Sequence, residues 1–192
     1  MTALTLNLNS VIQLTKEQFY QLCQENPDVK LERNAQKELI IIPPTGGETG
    51  KHNVNLIVQV ALWNEQTQLG EVFDSSTGFT LPNGADRSPD VSWVEITRWN
   101  SLTKQQKEKF IPLCPDFVIE ILSPNDNLQK TQKKMQEYIE NGCRLGWLLN
   151  RKKQEVEVYR PSQNLEILKS PQTLSGENIL PGFTLKMQRI WE

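Results

Sequence analysis

The chain has 192 residues, 37% hydrophobic and 23% charged, with a formal net charge of −2. That is enough sequence to bury a core and fits one domain with short appendages. The mild acidity excludes a generally basic nucleic-acid-coating surface, though not a local positive cleft. The apolar runs are far shorter than a bilayer span, so no membrane partner is expected. The start, MTALTLNLNS, lacks the basic and apolar regions of a secretory signal, so the cytoplasm is the expected location. Three cysteines, Cys23, Cys114 and Cys143, form no CxxC spacing, which argues against a disulfide framework or a zinc site. The single histidine, His52, nearly excludes a Ser/His or Cys/His triad.

In chain order, residues 1–14 read as an extended arm. Thr15 is a good N-cap for a short helix, KEQFYQLCQEN, which ends near Pro27. Residues 29–33 and 38–42 form two strands of a hairpin around a polar turn, stopped by Pro43 and Pro44. TGGETG reads as a turn. A helix follows, with Val54, Ile57, Val58, Ala61 and Leu62 at spacings of three and four on one face. Residues 71–74 and 78–81 read as strands, and Pro82-Asn83-Gly84 as a turn. SPDVSWVE is a strand started by proline, and TKQQKEKFIP is polar surface helix or loop. FVIEIL is nearly continuously apolar, as in a central strand covered on both faces. Ser123-Pro124-Asn125-Asp126 ends it and caps a helix over residues 127–141, with Gly142 in the C′ position. LGWLLN is another buried strand, and residues 155–159 alternate as a half-exposed one after the basic turn Arg151-Lys152-Lys153. The tail carries short strands and the turn Leu180-Pro181-Gly182-Phe183, and its apolar residues make it a candidate interface.

This order predicts an α/β fold with a mixed sheet flanked by helices, a β-rich N-terminal hairpin and a β-rich C-terminal tail. Residues 117–150 form a strand–helix–strand unit with a crossover connection. The expected organisation is a single domain over 1–192, with an arm at 1–14, a core at about 28–160 and a tail at 161–192.

Side chains alternate along a strand, so Asp90, Ser92 and Val94 share one face, as do Val118, Glu120 and Leu122. Glu120 is a carboxylate in an otherwise apolar central strand, and burying it unpaired is expensive. Beside Asp90 it would repel unless a cation sat between them, and Mg2+ or Mn2+ suits such oxygen ligands. From periodicity alone, a metal ligand and a structural ion pair are equal readings of Glu120. On the following helix Lys130, Lys134 and Tyr138 share a face, beside an apolar face of Leu128, Met135 and Ile139. Lys134 lies at the boundary, placed to lean over the sheet towards Glu120, where an ammonium can stabilise phosphate charge or orient a water. Lys133 reads as solvated surface, Ser123 as a cap and the five tryptophans as core or interface.

SPDVSWV, PDFVIEILSPND and KKMQEYIENGCRLGWLLN, with ERNAQKELIIIPPTGGETGKHN upstream and LPGFTL near the end, resemble the Uma2-type family of putative restriction endonucleases, a branch of the PD-(D/E)XK nuclease superfamily. The resemblance spans about residues 31–191. It implies a restriction-endonuclease-like fold and a metal-dependent endonuclease acting on DNA. Asp90 and Glu120 would hold Mg2+ (or Mn2+) together with the backbone carbonyl of Ile121. One departure is plain: the residue two after Glu120 is Leu122, not lysine. In the related branches the lysine has moved to the next helix, the position of Lys134. Glu48 matches an additional acidic ligand, while Lys130, His52 and Tyr138 are candidates for substrate contact. A solvated Glu48 and a helix-capping His52 are the plainer readings of those two. By analogy with nucleases that cut both strands, a homodimer is expected. Two other readings stay open: a catalytically silent nuclease-like fold that binds DNA or protein as a homodimer, and a structural domain in which Glu120 is ion-paired.

Overall fold

Thr15 begins α1 (Lys16–Glu25) with a reciprocal capping box to Gln18. The computed structural model of the protein describes residues 3–192. Before that helix, β1 (Leu4–Leu6) gives the expected extended arm a role: it pairs antiparallel with β3 (Leu39–Ile42). β3 in turn forms the predicted hairpin with β2 (Lys30–Arg33). The second helix, α2, runs Gly47–Thr67, and after it come β4 (Gly70–Asp74), β5 (Phe79–Thr80), β6 (Asp86–Arg87) and β7 (Val91–Glu95). Two short helices, α3 (Ile96–Asn100) and α4 (Lys104–Lys107), lead to β8 (Phe117–Ile121). The chain continues through α5 (Leu128–Glu140), β9 (Leu145–Asn150), β10 (Glu155–Tyr159), β11 (Glu166–Lys169), β12 (Thr173–Ser175), β13 (Thr184–Lys186) and α6 (Gln188–Trp191).

The main sheet has the order β11-β10-β9-β8-β7-β4. β8 and β9 are parallel, joined through α5, and the other neighbours are antiparallel. Every residue of β8 and of β9 is buried, as the apolar runs predict. Alternation divides the sheet into two faces. Ile119, Trp93, Trp147 and Leu149 lie on one face with Leu56 and Val60 of α2. Val118, Val94 and Leu148 lie on the other with Met135 and Tyr138 of α5. Gly146 of β9 lets α5 approach closely, since a Cβ there would lie 2.7 Å from the Met135 methyl.

Several expectations change. TGGETG is not simply a turn: Gly47 already opens α2, with Gly46 as N-cap and Glu48 in the first turn. The helix also turns a different face inward. Thr49, His52, Leu56 and Val60 are buried, whereas Val54, Val58 and Leu62 of the predicted face are exposed. Amphipathicity misleads here because apolar residues lie on both sides of the helix. α5 is capped by Asn127, whose side chain accepts from the Lys130 N–H, rather than by the preceding Ser-Pro-Asn-Asp. β10 is buried rather than half-exposed, because α5 and the tail cover both its faces. The tail itself packs into the core through Leu174, Leu180, Leu185, Met187 and Ile190, so those apolar residues do not face outward.

A second sheet, β1-β3-β2-β6-β5, carries the hairpin. β2 lies at its centre and meets β6 at the pair Arg33↔Asp86. There Arg33 Nη2 lies 2.7 Å from Asp86 Oδ2, with both side chains buried. Arg33 Nη1 also donates to the Leu14 carbonyl, and the guanidinium lies 4.9 Å from the Phe19 ring centre. One ion pair therefore ties β2, β6 and the start of α1 together. Removing one partner strands a buried charge. Asp86→Ala is expected to lower unfolding free energy by about 3–5 kcal/mol in urea titrations. The paired replacement Arg33→Met with Asp86→Leu is expected to recover most of that loss.

Candidate active site

β7 and β8 run antiparallel with Val91 opposite Ile119 and Ser92 opposite Val118. Asp90 and Glu120 are therefore the next residues outward, on the face that α5 covers. Asp90 is clamped to the neighbouring strand: its Oδ2 accepts from the Ile121 N–H at 2.8 Å. Its Oδ1 accepts from Asn53 Nδ2 of α2 at 3.4 Å. The same helix reaches the end of β8 through Thr49, whose hydroxyl lies within hydrogen-bonding distance (3.4 Å) of that of Ser123.

Above Glu120 sits α5. Lys134 Nζ lies 2.7 Å from Glu120 Oε1, and the Tyr138 hydroxyl donates to the same oxygen at 3.0 Å. The spacing of four residues between Lys134 and Tyr138 aims both side chains at one carboxylate. Lys134 also donates to Glu32 Oε1 at 2.9 Å. Glu32, on β2, is 2% exposed and belongs to the other sheet. It further accepts from Arg87 Nη1 at 3.0 Å and from the Ser88 N–H at 3.1 Å. Arg87 continues the chain to Glu137 of α5 at 2.6 Å. The result is a largely buried network of Glu120, Lys134, Glu32, Arg87 and Glu137 that spans two sheets and α5, with Asp90 held beside it by the Ile121 N–H and by Asn53 of α2.

Glu32 and Arg87 were not among the residues that sequence reasoning singled out. In the strand KLER, Glu32 alternates with Leu31 and Arg33 and looks like ordinary hairpin polarity. The available signal was the pair of charges within ADRSPD, too close to an apolar strand to be plain surface. The other sequence candidates fall around the network. Lys130 is exposed on the first turn of α5. Glu48 is exposed (69%), with its Oε2 3.4 Å from His52 Nε2 and 3.8 Å from Arg151 Nη2. His52 is fully buried, and neither ring nitrogen makes a hydrogen bond among the described residues. Burial and Arg151 both lower its pKa against the pull of Glu48, so it is neutral. Tyr138 is fully buried and spends its hydroxyl on Glu120. An open groove of about 640 Å³ on α5, bounded by Gln132, Lys133, Gln136, Tyr159 and Arg160, is lined by none of Asp90, Glu120 or Lys134.

The two glutamates that share Lys134 titrate in opposite directions. Burial pushes Glu120 up to about 7; Lys134 resists, while Asp90 and Glu32 add to the rise. Burial also works to raise Glu32, but Lys134, Arg87 and Lys30 overcome it and hold the carboxyl at about 2. One cation does not offset the desolvation of Glu120, whereas three offset that of Glu32. Burial raises Asp90 as well, against the Ile121 N–H and Lys134. Lys134 is pushed above its ordinary value: burial favours the neutral amine, but Glu120 and Glu32 outweigh it. It is therefore an ammonium at any working pH and cannot serve as a base.

Two carboxyls held against charge by burial and by each other form a site short of positive charge. That is the electrostatic condition for a hard cation, and Asp90, Glu120 and the Ile121 carbonyl are oxygen donors of the right type. Among the described residues no group of three or more His, Cys, Asp or Glu side chains forms a metal cage. The oxygen donors that could hold such an ion are the Asp90 and Glu120 side chains and the Ile121 carbonyl.

The architecture is that of a restriction-endonuclease-like α/β protein. The chain belongs to the Uma2 family, described as "putative restriction endonuclease", whose profile matches residues 16–188. A crystal structure of a putative nuclease belonging to DUF820 from Anabaena variabilis shares the fold, with a TM-score of 0.77 and 22% identity. The alignment covers 93% of this chain and 97% of that one. No curated protein matches the sequence. Among the described residues no helix is long and apolar enough to cross a membrane.

The Glu32 shift carries a stability consequence. Its folded pKa, about 2, is below the ordinary 4.5 of a glutamate, so it contributes stability above pH 4.5 that is lost as pH falls towards 2. Glu32→Gln is expected to cost about 3 kcal/mol at pH 7. The gap from wild type should close as urea titrations are taken from pH 4.5 down to pH 2. Glu120 acts with the opposite sign: its raised pKa withdraws stability as pH rises from 4.5 through 7.

Proposed function

We propose that the protein is a divalent-metal-dependent endonuclease that hydrolyses phosphodiester bonds of DNA, acting as a homodimer. The observation that carries this reading is the convergence of Asp90 and Glu120, with Lys134 Nζ 2.7 Å from Glu120. Membership of the Uma2 family supports the same activity. Asp90, Glu120 and the Ile121 carbonyl would hold Mg2+ or Mn2+. Such an ion supplies Lewis-acid polarisation of the scissile phosphate and makes water more acidic.

The chain's own groups prepare that chemistry. The Ile121 N–H and Asn53 fix the Asp90 carboxylate from two sides. Tyr138 fixes Glu120, leaving its second oxygen directed away from that bond. Lys134, held cationic by Glu120 and Glu32, sets a permanent positive charge beside the carboxylates, where it neutralises charge developing on a phosphate. Glu32 and Arg87 act on the reaction only by fixing the position and charge of that ammonium. At neutral pH Glu120 titrates, so cation binding and activity should rise through about pH 7.

The test is cleavage of supercoiled plasmid with Mg2+ or Mn2+. Asp90→Ala and Glu120→Gln are expected to abolish nicking, and Lys134→Ala to slow it by about 10²–10³-fold. Lys134→Ala should also move the rising limb of the pH profile to higher pH, because the cation that lowers Glu120 is gone. A purified wild type that cuts no nucleic acid with either metal overturns the enzyme reading. Tight DNA binding without turnover would then support the silent homodimeric module.

A further inference from the structure

α2 carries an apolar stripe that nothing in the described chain covers. Val54, Val58 and Leu62 are 60%, 47% and 54% exposed, although the opposite side of the helix fills the core. Ala61 lies between them in sequence and is half-buried. An apolar row a little over two turns long on a surface helix is a place for a partner.

The order of residues along the stripe identifies the partner. Read as 51, 54, 58, 61 and 65, the spacing follows the 3.5-residue period of two helices packed at a shallow angle. The row is also palindromic in chemistry about Val58. Val54 and Leu62 lie four residues to either side of it. Lys51 and Glu65 lie seven residues to either side, with opposite charges. Both are exposed, and Lys51 is 3.7 Å from Glu48, itself a solvated residue. Laid antiparallel against an identical helix with Val58 on the two-fold axis, Val54 meets the other copy's Leu62, and Lys51 meets its Glu65. The same surface on both copies satisfies itself, which is the requirement of an isologous interface. A different protein would have no reason to match that symmetry.

We propose that the protein dimerises through α2, in an antiparallel helix pair centred on Val58 and closed at each end by Lys51 and Glu65. This locates the homodimer of the reading above on α2; of the tail, Leu174, Leu180, Leu185, Met187 and Ile190 are buried in the core, and Leu165 and Ile167 stay exposed without a self-complementary row. The pairing rests on α2 alone and holds whatever reaction the site performs. α2 also supplies Asn53 to Asp90, so the interface and the site share one rigid element. Along the shared axis the two Asn53 residues lie about 15 Å apart, one on each side of the centre.

The experiment is sedimentation equilibrium of the full chain between about 1 and 200 µM, the range suited to a single-helix interface. The wild type is expected to dimerise. Val58→Glu, an exposed substitution that brings like charges together on the axis, should weaken dimerisation at least ~30-fold. Lys51→Glu should weaken it, and Lys51→Glu combined with Glu65→Lys should restore it. Circular dichroism of each variant confirms that the fold is intact. In a Cys23→Ser background, Val58→Cys is expected to form an intermolecular disulfide with itself. A wild type that is monomeric at 200 µM, or a dimer indifferent to Val58→Glu, overturns the proposal. A dimer that follows these substitutions but cuts nothing supports the pairing and counts only against the nuclease reading.

Discussion

Glu120 is a carboxylate in the middle of a strand whose every residue is buried, and the cost of keeping it there organises everything around it. Left alone, such a group would simply take up a proton. Lys134 and Tyr138 converge on one of its oxygens and hold it in place. They do not neutralise the surroundings, because Asp90 and Glu32 lie within reach and oppose its ionisation. A buried ion pair built only for stability would balance its charges. This one leaves Glu120 poised near neutral pH, the kind of perturbation that gathers at functional sites.

The position of the lysine follows from the same economy. The residue two after Glu120 is Leu122, which packs with the apolar cluster under α5. The ammonium comes instead from α5, and a long flexible side chain needs a second anchor to stay in one place. Glu32 is that anchor, and Arg87 and the Ser88 N–H hold Glu32. The small sheet is therefore not decoration on a nuclease core. Its central strand supplies the counter-charge that fixes the lysine, and the Arg33–Asp86 pair keeps that strand in register with β6.

Much of this was legible in the sequence. Strand alternation put Asp90 and Glu120 on one face, and helical spacing put Lys134 and Tyr138 on another that meets it. Those inferences needed only local periodicity and a short strand–helix–strand connection. Glu32 was not legible, because its contact with Lys134 joins residues 102 positions apart through a pairing of β2 with β6 that no local pattern announces. The inward face of α2 was misjudged for a different reason. Thr49 and His52 are polar yet buried, while Val54, Val58 and Leu62 are apolar yet exposed, so a hydrophobic count selects the wrong side. Helical spacing puts Tyr138 on one face with Lys130 and Lys134 and makes it a candidate substrate contact. Its hydroxyl is instead enclosed against Glu120.

The central claim is that Asp90 and Glu120 form one cation site whose affinity is governed by the Glu120 proton. Calorimetric titration of the protein with Mn2+ in buffers of different ionisation enthalpy measures both binding and proton release. The account predicts one ion per chain, with proton release that is substantial at pH 6, declines through about pH 7 and nears zero by pH 8.5, and with binding lost in Asp90→Ala. Failure of the wild type to bind Mn2+, or equal binding by Glu120→Gln, would contradict it.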